Sequence, residues 1–311
     1  MTRTMKALRA HARGSFDQLV YEDAPVPVAG PGEVLVRVAA VGITPTELSW
    51  DETWAGLERD GTPAIPGHEV SGHVAELGPD VDGFAVGDAV FGQVPFDAPG
   101  GAAELVAVPA HALAPRPDAV SDVDAVTLPV AALTAWEAFE VHAPVGPGSQ
   151  VLVHAGAGAV GGFAIQLAVL RGATVATTAY VRDEELVRAL GATTVTTTDP
   201  AQFGGGRTYD VVIDPLGGQV LLDSYAVVRP GGHLVTLNAP PDQARAAAGG
   251  FTATFFVVAG DGSALQRIAA LVAAGDLRTT VAATFPLARG REGYTFAGTP
   301  GHGPGKTILV V

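Results

Sequence analysis

The 311 residues carry a formal net charge of −14 and include 40 glycines, 23 prolines and no cysteine. This length, with 48% apolar residues, suits two domains with sizeable cores. The acidic balance argues against a nucleic acid or an anionic membrane as a partner, since both need clustered lysine and arginine. Without cysteine the chain has no disulfide, no catalytic thiolate and no thiolate metal ligand.

The first residues hold no apolar stretch of signal-peptide length. No window of the chain reaches the roughly 18 continuous apolar residues of a membrane helix. We therefore expect a soluble, cytoplasmic protein.

The first 120 or so residues have the pattern of a β-rich domain. Short apolar or alternating runs are separated by proline and glycine clusters, and they lie at 34–41, 70–77, 89–93 and 104–108. This spacing predicts a closed or semi-closed barrel. A helix is predicted next, over 121–141, with Ser121 as its N-cap and Asp124 as the acid of a capping box.

From about Gln150 short strands alternate with helices of about ten residues, the last of them predicted at 219–228. This alternation predicts a parallel sheet covered on both faces. After Pro240 the pattern weakens into a loose Ala/Gly stretch at 243–250, followed by an amphipathic helix at 263–275. The apolar run at 303–311 is predicted to be a strand that returns to an earlier sheet.

A glycine turn follows the strand at 151–154. Gly156, Gly158 and Gly161 form a GxGxxG pattern directly before an apolar helix. In this setting the glycines allow a tight turn, close approach to a pyrophosphate and close packing of helix on strand. The exposed N–H groups of the helix then meet the phosphates. The alternative interpretation is a Gly/Ala-rich turn of the core.

The strand after this helix bears on the choice of nucleotide. NAD sites place an acidic residue about 20 residues beyond the first glycine, but 174–181 contains none. Thr178 and Tyr180 offer hydroxyls, and Arg182 offers a cation for a 2′-phosphate. NADPH is therefore the expected cofactor. The alternative is that Arg182 is a solvated charge at a helix start, and three acidic residues follow it directly.

Several segments resemble the medium-chain dehydrogenase/reductase superfamily, in its zinc-independent quinone oxidoreductase branch. They include GEVLVRVAAVGITPTE (32–47), IPGHEVSGHVAELG (65–78), LPVAALTAWEAF (128–139), VLVHAGAGAVGGFAIQLA (151–168) and GKTILVV (305–311). The resemblance implies an α/β protein with a GroES-like β-barrel domain at 1–122, completed by 260–311. It also implies a Rossmann domain, with a doubly wound parallel sheet, at 123–259.

The resemblance also implies that the zinc site is lost. Zinc-dependent relatives have cysteine where this chain has Thr44, and a second cysteine within the stretch 128–131. His68 is the one zinc ligand left, and catalytic zinc needs three protein ligands. We therefore expect no bound metal, and we expect His68 to be a hydrogen-bonded structural residue.

The same resemblance places the cofactor contacts. Thr44 and Pro45 match the turn that faces the nicotinamide, and Thr134 matches a threonine near its amide. The remaining matches are the phosphate turn (Gly156, Ala157, Gly158, Ala159, Val160), the adenosine phosphate segment (Thr178, Tyr180, Arg182) and the nicotinamide side (Leu216, Leu237, Phe256). Tyr180 stands where relatives commonly have serine.

The expected reaction is hydride transfer from NADPH to a quinone or an α,β-unsaturated carbonyl compound. Negative charge then develops on the carbonyl oxygen and needs a hydrogen-bond donor, while a protein group or water protonates the α-carbon. The catalytic candidates are Thr44, Trp50 and Trp54. The two tryptophans, four residues apart, are predicted to share a helical face as an apolar wall. They fit equally well as core aromatics.

Two alternatives stay open. One is a dedicated enoyl reductase that tailors a single natural product. The other is a protein that binds NADPH without catalysis and serves as a sensor or structural component. The apolar run at 253–258 is unsuited to an exposed sheet edge, so we also expect a homodimer.

Overall fold

The computed structural model describes residues 3–55 and 63–311. The chain divides into two compact units, a first unit of Met1–Val130 with Ala259–Val311 and a second unit of Ala131–Val258. The domain limits predicted from the sequence, 122/123 and 259/260, stay predictions; the division by internal packing falls at 130/131 and 258/259.

Seven strands form most of the regular structure described in the N-terminal part of the first unit. They are β1 (Thr4–Ala10), β2 (Leu19–Pro25), β3 (Glu33–Ile43), β4 (Glu69–Leu77), β5 (Ala89–Gln93), β6 (Leu105–Pro109) and β7 (Leu113–Pro115). β1 and β2 form an antiparallel ribbon, and β3 pairs antiparallel with β4 and with β6. The four predicted apolar runs therefore form strands, as expected.

The region predicted as one helix over 121–141 is interrupted. Ser121 caps α1 (Asp122–Ala125) by accepting from the Asp124 N–H at 3.1 Å, as predicted. A wide π turn at Leu128–Ala132 follows, then α2 (Leu133–Glu137) and a second π turn at Ala138–His142. Pro129 has no N–H, and the Val130 N–H donates to Glu69 Oε1 at 3.0 Å. These two residues therefore withhold the donors that a continuous helix needs.

The second unit alternates strands and helices, which confirms the pattern predicted from residue 150 onward. After α2, its elements are β8 (Gln150–Val153), α3 (Ala159–Leu170), β9 (Thr174–Thr178), α4 (Glu184–Ala189), β10 (Thr194–Thr196), α5 (Pro200–Phe203), β11 (Tyr209–Asp214), α6 (Gly218–Ser224), β12 (Val228–Thr236), α7 (Gln243–Gly249) and β13 (Thr252–Phe255).

Two helices of this unit differ from the sequence-based expectation. The helix expected over 219–228 is α6, which ends at Ser224 because the next strand begins at Val228. The stretch expected to be loose at 243–250 contains α7. Asp242 caps α7 by accepting from the Arg245 N–H at 3.0 Å, an N-cap that the sequence pattern did not reveal.

The sheet of the second unit has the order β10-β9-β8-β11-β12-β13, and every neighbouring pair is parallel. The carboxyl ends of these six strands therefore lie at one edge. The chain moves outward from β8 to β10 and then returns to the other side of β8 as β11. Ligands of doubly wound sheets bind at this kind of switch point.

The last part of the chain completes the first unit. It contributes α8 (Gly262–Ala274), β14 (Val281–Pro286), α9 (Gly290–Gly298) and β15 (Lys306–Val310). β15 pairs with β14 and with β3, giving a seven-stranded sheet in which six strands follow the order β14-β15-β3-β4-β5-β7 and the seventh, β6, pairs with β3. The predicted return of the final strand to an earlier sheet is confirmed. Within residues 3–55 and 63–311, no helix combines the length and apolarity needed to cross a membrane.

Candidate functional site

The predicted glycine turn connects β8 to α3, and two of its glycines pack closely against neighbouring atoms. A Cβ at Gly156 would lie 2.1 Å from Thr177 Oγ1, and one at Gly161 would lie 2.2 Å from the Ala155 carbonyl oxygen. No side chain fits at either position, so both must be glycine for the turn to pack this closely. Gly158 is exposed and begins α3 as its N-cap residue. The first N–H groups of this helix have no acceptor within it and are available to an anion.

The turn is held in a conformation that an L-residue rarely adopts. Ala155 has a φ of +52°, in the left-handed region. Its N–H donates to the Thr178 hydroxyl at 3.1 Å, and the Gly156 N–H donates to the Thr178 carbonyl at 2.9 Å. Thr178, at the end of β9, therefore holds Ala155 in its strained conformation.

A buried histidine completes this arrangement. His154 Nε2 lies 3.0 Å from the Ser224 hydroxyl, which itself donates to the Val220 carbonyl. The Ser224 oxygen therefore accepts from Nε2–H, and His154 Nδ1 accepts from the Thr178 hydroxyl at 3.2 Å. Burial lowers the pKa of His154 to about 4, so the ring is neutral near pH 7.

These bonds give Thr178 a structural role in the turn. Its side chain is fully buried, and its hydroxyl both accepts from Ala155 and donates to His154. The Thr178 hydroxyl therefore holds the turn, and the predicted contact between Thr178 and the adenosine phosphate stays a prediction.

Tyr180 and Arg182, beyond the end of β9, are exposed. Tyr180 is 61% exposed, and the Arg182 guanidinium lies 4.8 Å from the centre of its ring. Arg182 Nε is also 3.8 Å from the Asp183 carboxylate, which is 8% exposed. The two predicted phosphate-segment residues are therefore stacked on each other at the sheet edge that carries the glycine turn.

The residues predicted for the nicotinamide side also follow strand ends. Leu216 comes after β11, Leu237 after β12 and Phe256 after β13. The Asp214 carboxylate accepts from the Leu216 N–H at 2.8 Å, and the Leu237 N–H donates to the Asp214 carbonyl at 2.9 Å. Burial raises the pKa of Asp214.

The ring of Phe256 lies 4.4 Å from that of His142, and Thr134 is buried within α2. The predicted cofactor-binding residues that follow β8, β9, β11, β12 and β13 therefore lie along one edge of the sheet. Thr134 lies in a helix instead.

A polar cluster in the first unit surrounds Thr44. Thr44 follows β3, and the register that pairs Thr307 with Ile43 brings Lys306 beside it. Lys306 Nζ donates to Thr44 Oγ1 at 3.0 Å and forms an ion pair with the Glu69 carboxylate. Lys306 is 6% exposed and Glu69 is 1% exposed. The sheet therefore delivers a buried ammonium group to the hydroxyl that the sequence predicts to face the nicotinamide.

Glu47 lies in the short 3-10 helix Pro45–Ser49. Its side chain is buried. It accepts from the Tyr294 hydroxyl at 2.6 Å, the Gly67 N–H at 3.0 Å and the Thr44 N–H at 3.3 Å. Burial raises the pKa of Glu47 to about 7. Glu47 therefore anchors the turn that carries Thr44 and Pro45.

His68 is a buried neighbour of Glu47. Its Nδ1 lies 3.1 Å from the Pro95 carbonyl, and its Nε2 lies 3.7 Å from Glu47 Oε2. Burial lowers the pKa of His68 to about 4, which keeps the ring neutral near pH 7. Across the described ranges 3–55 and 63–311, no group of three or more His, Asp or Glu side chains is placed to hold a metal ion.

The two tryptophans do not share a helical face, so that expectation is wrong. Trp50 is the C-cap residue that follows the 3-10 helix Pro45–Ser49, and Trp54 belongs to a separate short helix, Glu52–Trp54. Trp54 is buried in the core of the first unit, and its indole N–H donates to the Leu48 carbonyl at 2.8 Å. Trp54 therefore fits the core alternative. Trp50 is half-buried, with its ring 5.2 Å from that of Phe96.

Three polar residues of these sites were not predicted from the sequence: His154, Lys306 and Glu69. Lys306 carried the clearest signal, because it is one of only two lysines and begins an otherwise apolar strand. A charge at such a position needs a partner when it is buried. His154 ends a buried strand and gave a similar, weaker signal.

Comparisons with known proteins agree with this architecture. Residues 30–118 match the alcohol dehydrogenase GroES-like domain, and residues 190–309 match the zinc-binding dehydrogenase family. A probable zinc-binding mitochondrial oxidoreductase of Arthroderma benhamiae is 32% identical over 86% of this chain and 85% of its own length. The chloroplastic NADPH-dependent alkenal/one oxidoreductase of Arabidopsis thaliana is 30% identical over 99% of this chain and 80% of its own length.

Among solved structures, the quinone oxidoreductase of Coxiella burnetii superposes with a TM-score of 0.92 at 30% identity. This match covers 99% of this chain and 100% of that one. The chain belongs to the medium-chain dehydrogenase/reductase superfamily, in its quinone oxidoreductase-like branch. It is an oxidoreductase with a GroES-like and a Rossmann-like domain, in a family that uses a nicotinamide cofactor.

Proposed function

We propose that this protein is an NADPH-dependent, zinc-independent reductase of quinones or α,β-unsaturated carbonyl compounds. The observation that carries the proposal is the glycine turn at the switch point of the parallel sheet. Gly156 and Gly161 leave no room for a Cβ, and the first turn of α3 offers unpaired N–H groups. The backbone of Gly156, Ala157, Gly158, Ala159 and Val160 would hold the pyrophosphate. A bound NADPH supplies a hydride from its nicotinamide ring.

The proposed preference for NADPH over NADH depends on the residues after β9. The segment 174–181 has no acidic residue to bind ribose hydroxyls or to repel a 2′-phosphate. The Arg182 guanidinium is exposed and stacked on Tyr180, and its planar group matches the geometry of a phosphate. The NADPH-dependent relative from Arabidopsis supports the same choice.

The proposal that no zinc takes part depends on the residues around Thr44. The chain has no cysteine, and the position of one zinc ligand is occupied by Thr44, whose hydroxyl accepts from Lys306. His68 Nδ1 is bonded to a backbone carbonyl, and its Nε2 faces Glu47. Without a Lewis acid, oxidation of simple alcohols is disfavoured, and reduction of a conjugated carbonyl is the better match.

We also propose contacts to the nicotinamide ring and to the acceptor. Pro45 and Thr134 would contact the nicotinamide, and Leu216, Leu237 and Phe256 would line its other side. Trp50, with its half-buried ring beside Phe96, would contribute an apolar surface for a flat acceptor.

We further propose that the protein is a cytoplasmic homodimer. β13 is the last strand of its sheet, and Val257, just after it, is 64% exposed. Pairing of two β13 strands across a two-fold axis would cover this edge. Sedimentation of the wild type as a monomer at micromolar concentration would refute the dimer. Val257→Lys should weaken it, while Val86→Lys, at a residue that is 66% exposed in the first unit, should not.

The experiment that tests the function is consumption of NADPH, with NADH in parallel, against a panel of quinones and α,β-unsaturated ketones. Turnover with NADPH and little with NADH supports the proposal. Binding of NADPH without turnover of the panel would favour a dedicated natural-product reductase or a non-catalytic protein. Metabolites bearing an enone would then separate these two alternatives. Failure to bind either nucleotide would overturn the proposal.

A further inference from the structure

A buried lysine from the last strand donates a hydrogen bond to the Thr44 hydroxyl. Lys306 Nζ lies 3.0 Å from Thr44 Oγ1 and is paired on its other side with the Glu69 carboxylate. An ammonium group has three N–H donors and no acceptor, so the threonine oxygen must be the acceptor of this bond. The direction of the Lys306–Thr44 bond is therefore fixed by chemistry.

This direction determines where the single proton of Thr44 can go. Because the oxygen accepts from Lys306, its own O–H is left to donate to another group. In the part of the chain that the structure describes, no hydrogen bond donated by the Thr44 hydroxyl is found. Thr44 is half-buried whereas Lys306 is buried, so of the two residues Thr44 is the one that a ligand can reach. Donation from the ammonium also polarises the hydroxyl and makes it a stronger donor.

The sheet is built to keep the ammonium in this position. Glu69 Oε1 accepts from the Val130 N–H at 3.0 Å, which leaves Oε2 for Lys306. A Cβ at Gly42, the residue opposite Glu69 in the sheet, would lie 2.8 Å from Glu69 Oε2. The glycine therefore makes the space that the carboxylate occupies. Pairing with a fixed carboxylate orients the Lys306 side chain as well as neutralising it.

We propose that Lys306 is a positioning residue that orients and polarises the Thr44 hydroxyl, which donates to the carbonyl oxygen of the acceptor during reduction. This inference rests on the proposed function. When a hydride adds to the β-carbon of an enone, the electron pair of the C=C bond moves toward the carbonyl and leaves charge on its oxygen. The Thr44 hydroxyl stabilises that charge without losing its proton. Water supplies the proton that the α-carbon takes up, which completes the saturated ketone.

Four variants test this role. Thr44→Val removes the hydroxyl at constant shape, and Thr44→Ser keeps it. Lys306→Met combined with Glu69→Gln removes both charges of the buried pair, so neither charge is left unpaired. Lys6→Met is the control, because Lys6 is the other lysine and pairs with Asp23 at the surface. Thermal unfolding of each variant verifies that it is folded.

With an enone acceptor, we expect Thr44→Val and the Lys306/Glu69 double variant each to lower kcat by about 10²-fold, as the loss of one oxyanion donor does. The KM for NADPH should change little, and Thr44→Ser should restore most of the rate. In the Thr44→Val background, the Lys306/Glu69 changes should have no further effect on kcat, because the two groups act through one hydroxyl. Independent, multiplying losses would overturn the inference.

A second readout does not need turnover. The phenol p-nitrophenol carries an oxygen that becomes an anion and absorbs visible light when it ionises. We expect the wild-type protein to lower the apparent pKa of bound p-nitrophenol, and Thr44→Val and the Lys306/Glu69 variant to abolish that shift. The absence of a shift in the wild type, or an equal shift in all variants, would overturn the inference.

The two proposals fail in distinguishable ways. A wild type that shifts p-nitrophenol but reduces no acceptor would reject the proposed function and leave the donor role of Thr44 in place. A wild type that reduces enones at a rate unchanged by Thr44→Val would keep the function and reject the inference.

Discussion

His154 Nδ1 lies 3.2 Å from the hydroxyl oxygen of Thr178, and that oxygen also accepts from the N–H of Ala155. A buried neutral imidazole thus orients the hydroxyl that holds the one residue of the glycine turn with a strained backbone. A chain of directed bonds therefore runs from α6, through Ser224, to the proposed pyrophosphate site.

Removing the Thr178 hydroxyl should weaken cofactor binding although Thr178 is buried. Thr178→Val leaves the Ala155 N–H and His154 Nδ1 without partners, and a buried unpaired polar group costs about 1–3 kcal/mol. We expect the Kd for NADPH, measured by fluorescence titration, to rise by at least roughly tenfold. Thr178→Ser should bind nearly as the wild type does. Thr174→Val, at the exposed start of the same strand, is the matched control. Equal Kd values for the two valine variants would contradict the prediction.

Adding a single methyl group to the turn should abolish nucleotide binding. Gly156→Ala places a Cβ 2.1 Å from Thr177 Oγ1, a distance at which either the buried Thr177 side chain or the turn must move. Gly162→Ala adds the same group in α3, where the nearest atom, in Leu190, is 3.5 Å away. It should leave binding intact and stabilise the helix by about 0.5–1 kcal/mol. Calorimetric titration with NADPH compares the two, and tight binding by the Gly156 variant would disprove the proposed turn.

Arg182 should control the preference between the two nucleotides. We expect Arg182→Ala to raise the Kd for NADPH by roughly 10- to 100-fold, since a hydrogen bond to a charged group contributes about 1.5–3 kcal/mol. The Kd for NADH should stay nearly constant because it has no 2′-phosphate. Arg188→Ala is the control, as Arg188 pairs with Glu184 within α4. A parallel loss of affinity for both nucleotides would assign Arg182 to another role.

Stability should fall in mild acid because His154 resists protonation in the folded protein. Burial lowers the pKa of His154 to about 4 in the folded protein, against 6.5 for an ordinary histidine. Between these values the unfolded chain binds more protons, so the free energy of unfolding decreases as the pH drops from 6.5 toward 4. His154→Gln lacks this dependence, so the stability advantage of the wild type should shrink over that window. Urea unfolding at several pH values measures it, and a constant difference between the two proteins would contradict the assignment.

Glu47 should make the protein less stable as the pH rises, whereas His154 makes it less stable as the pH falls. Burial raises its pKa from 4.5 to about 7, so the folded protein binds more protons between these values. The contribution of Glu47 is therefore lost as the pH rises from 4.5 through 7. Glu47→Gln stays neutral throughout and should compare more favourably with the wild type at pH 8 than at pH 5. Melting temperatures that differ by the same amount at both pH values would refute the shift.

The order of elements could be predicted from the sequence because local signals agreed along most of the chain. Alternating apolar runs gave the strands of the first unit, and the strand–turn–helix setting of Gly156 located the switch point. The prediction of one continuous helix over 121–141 was wrong because Pro129 and the Val130 N–H interrupt it. The acceptor of that N–H, Glu69, is distant in sequence. Trp50 and Trp54 have a helical spacing, but two separate 3-10 helices take the place of the single helix that this spacing suggested.

The candidate site could be predicted where one continuous motif contributes backbone groups to it. It could not be predicted where side chains from distant parts of the sequence meet. The phosphate turn is one continuous segment, so its residues could be named directly. Lys306 reaches Thr44 only because β15 pairs with β3, and this register cannot be read from either segment alone. Thr178 was assigned to the ligand because its hydroxyl looked free, whereas His154 occupies it from 24 residues away.

The pairing of β15 with the second half of β3 affects the order in which the molecule can form during synthesis. Residues Ala40 to Ile43 of β3 leave the ribosome long before their partners Thr307 to Val310. The whole of the second unit, Ala131–Val258, is translated in between and can fold as a continuous segment. The first unit must meanwhile keep an unpaired strand edge and a buried Glu69 without its lysine. The nascent chain is therefore most exposed to aggregation, and to chaperone capture, at the unit that was made first.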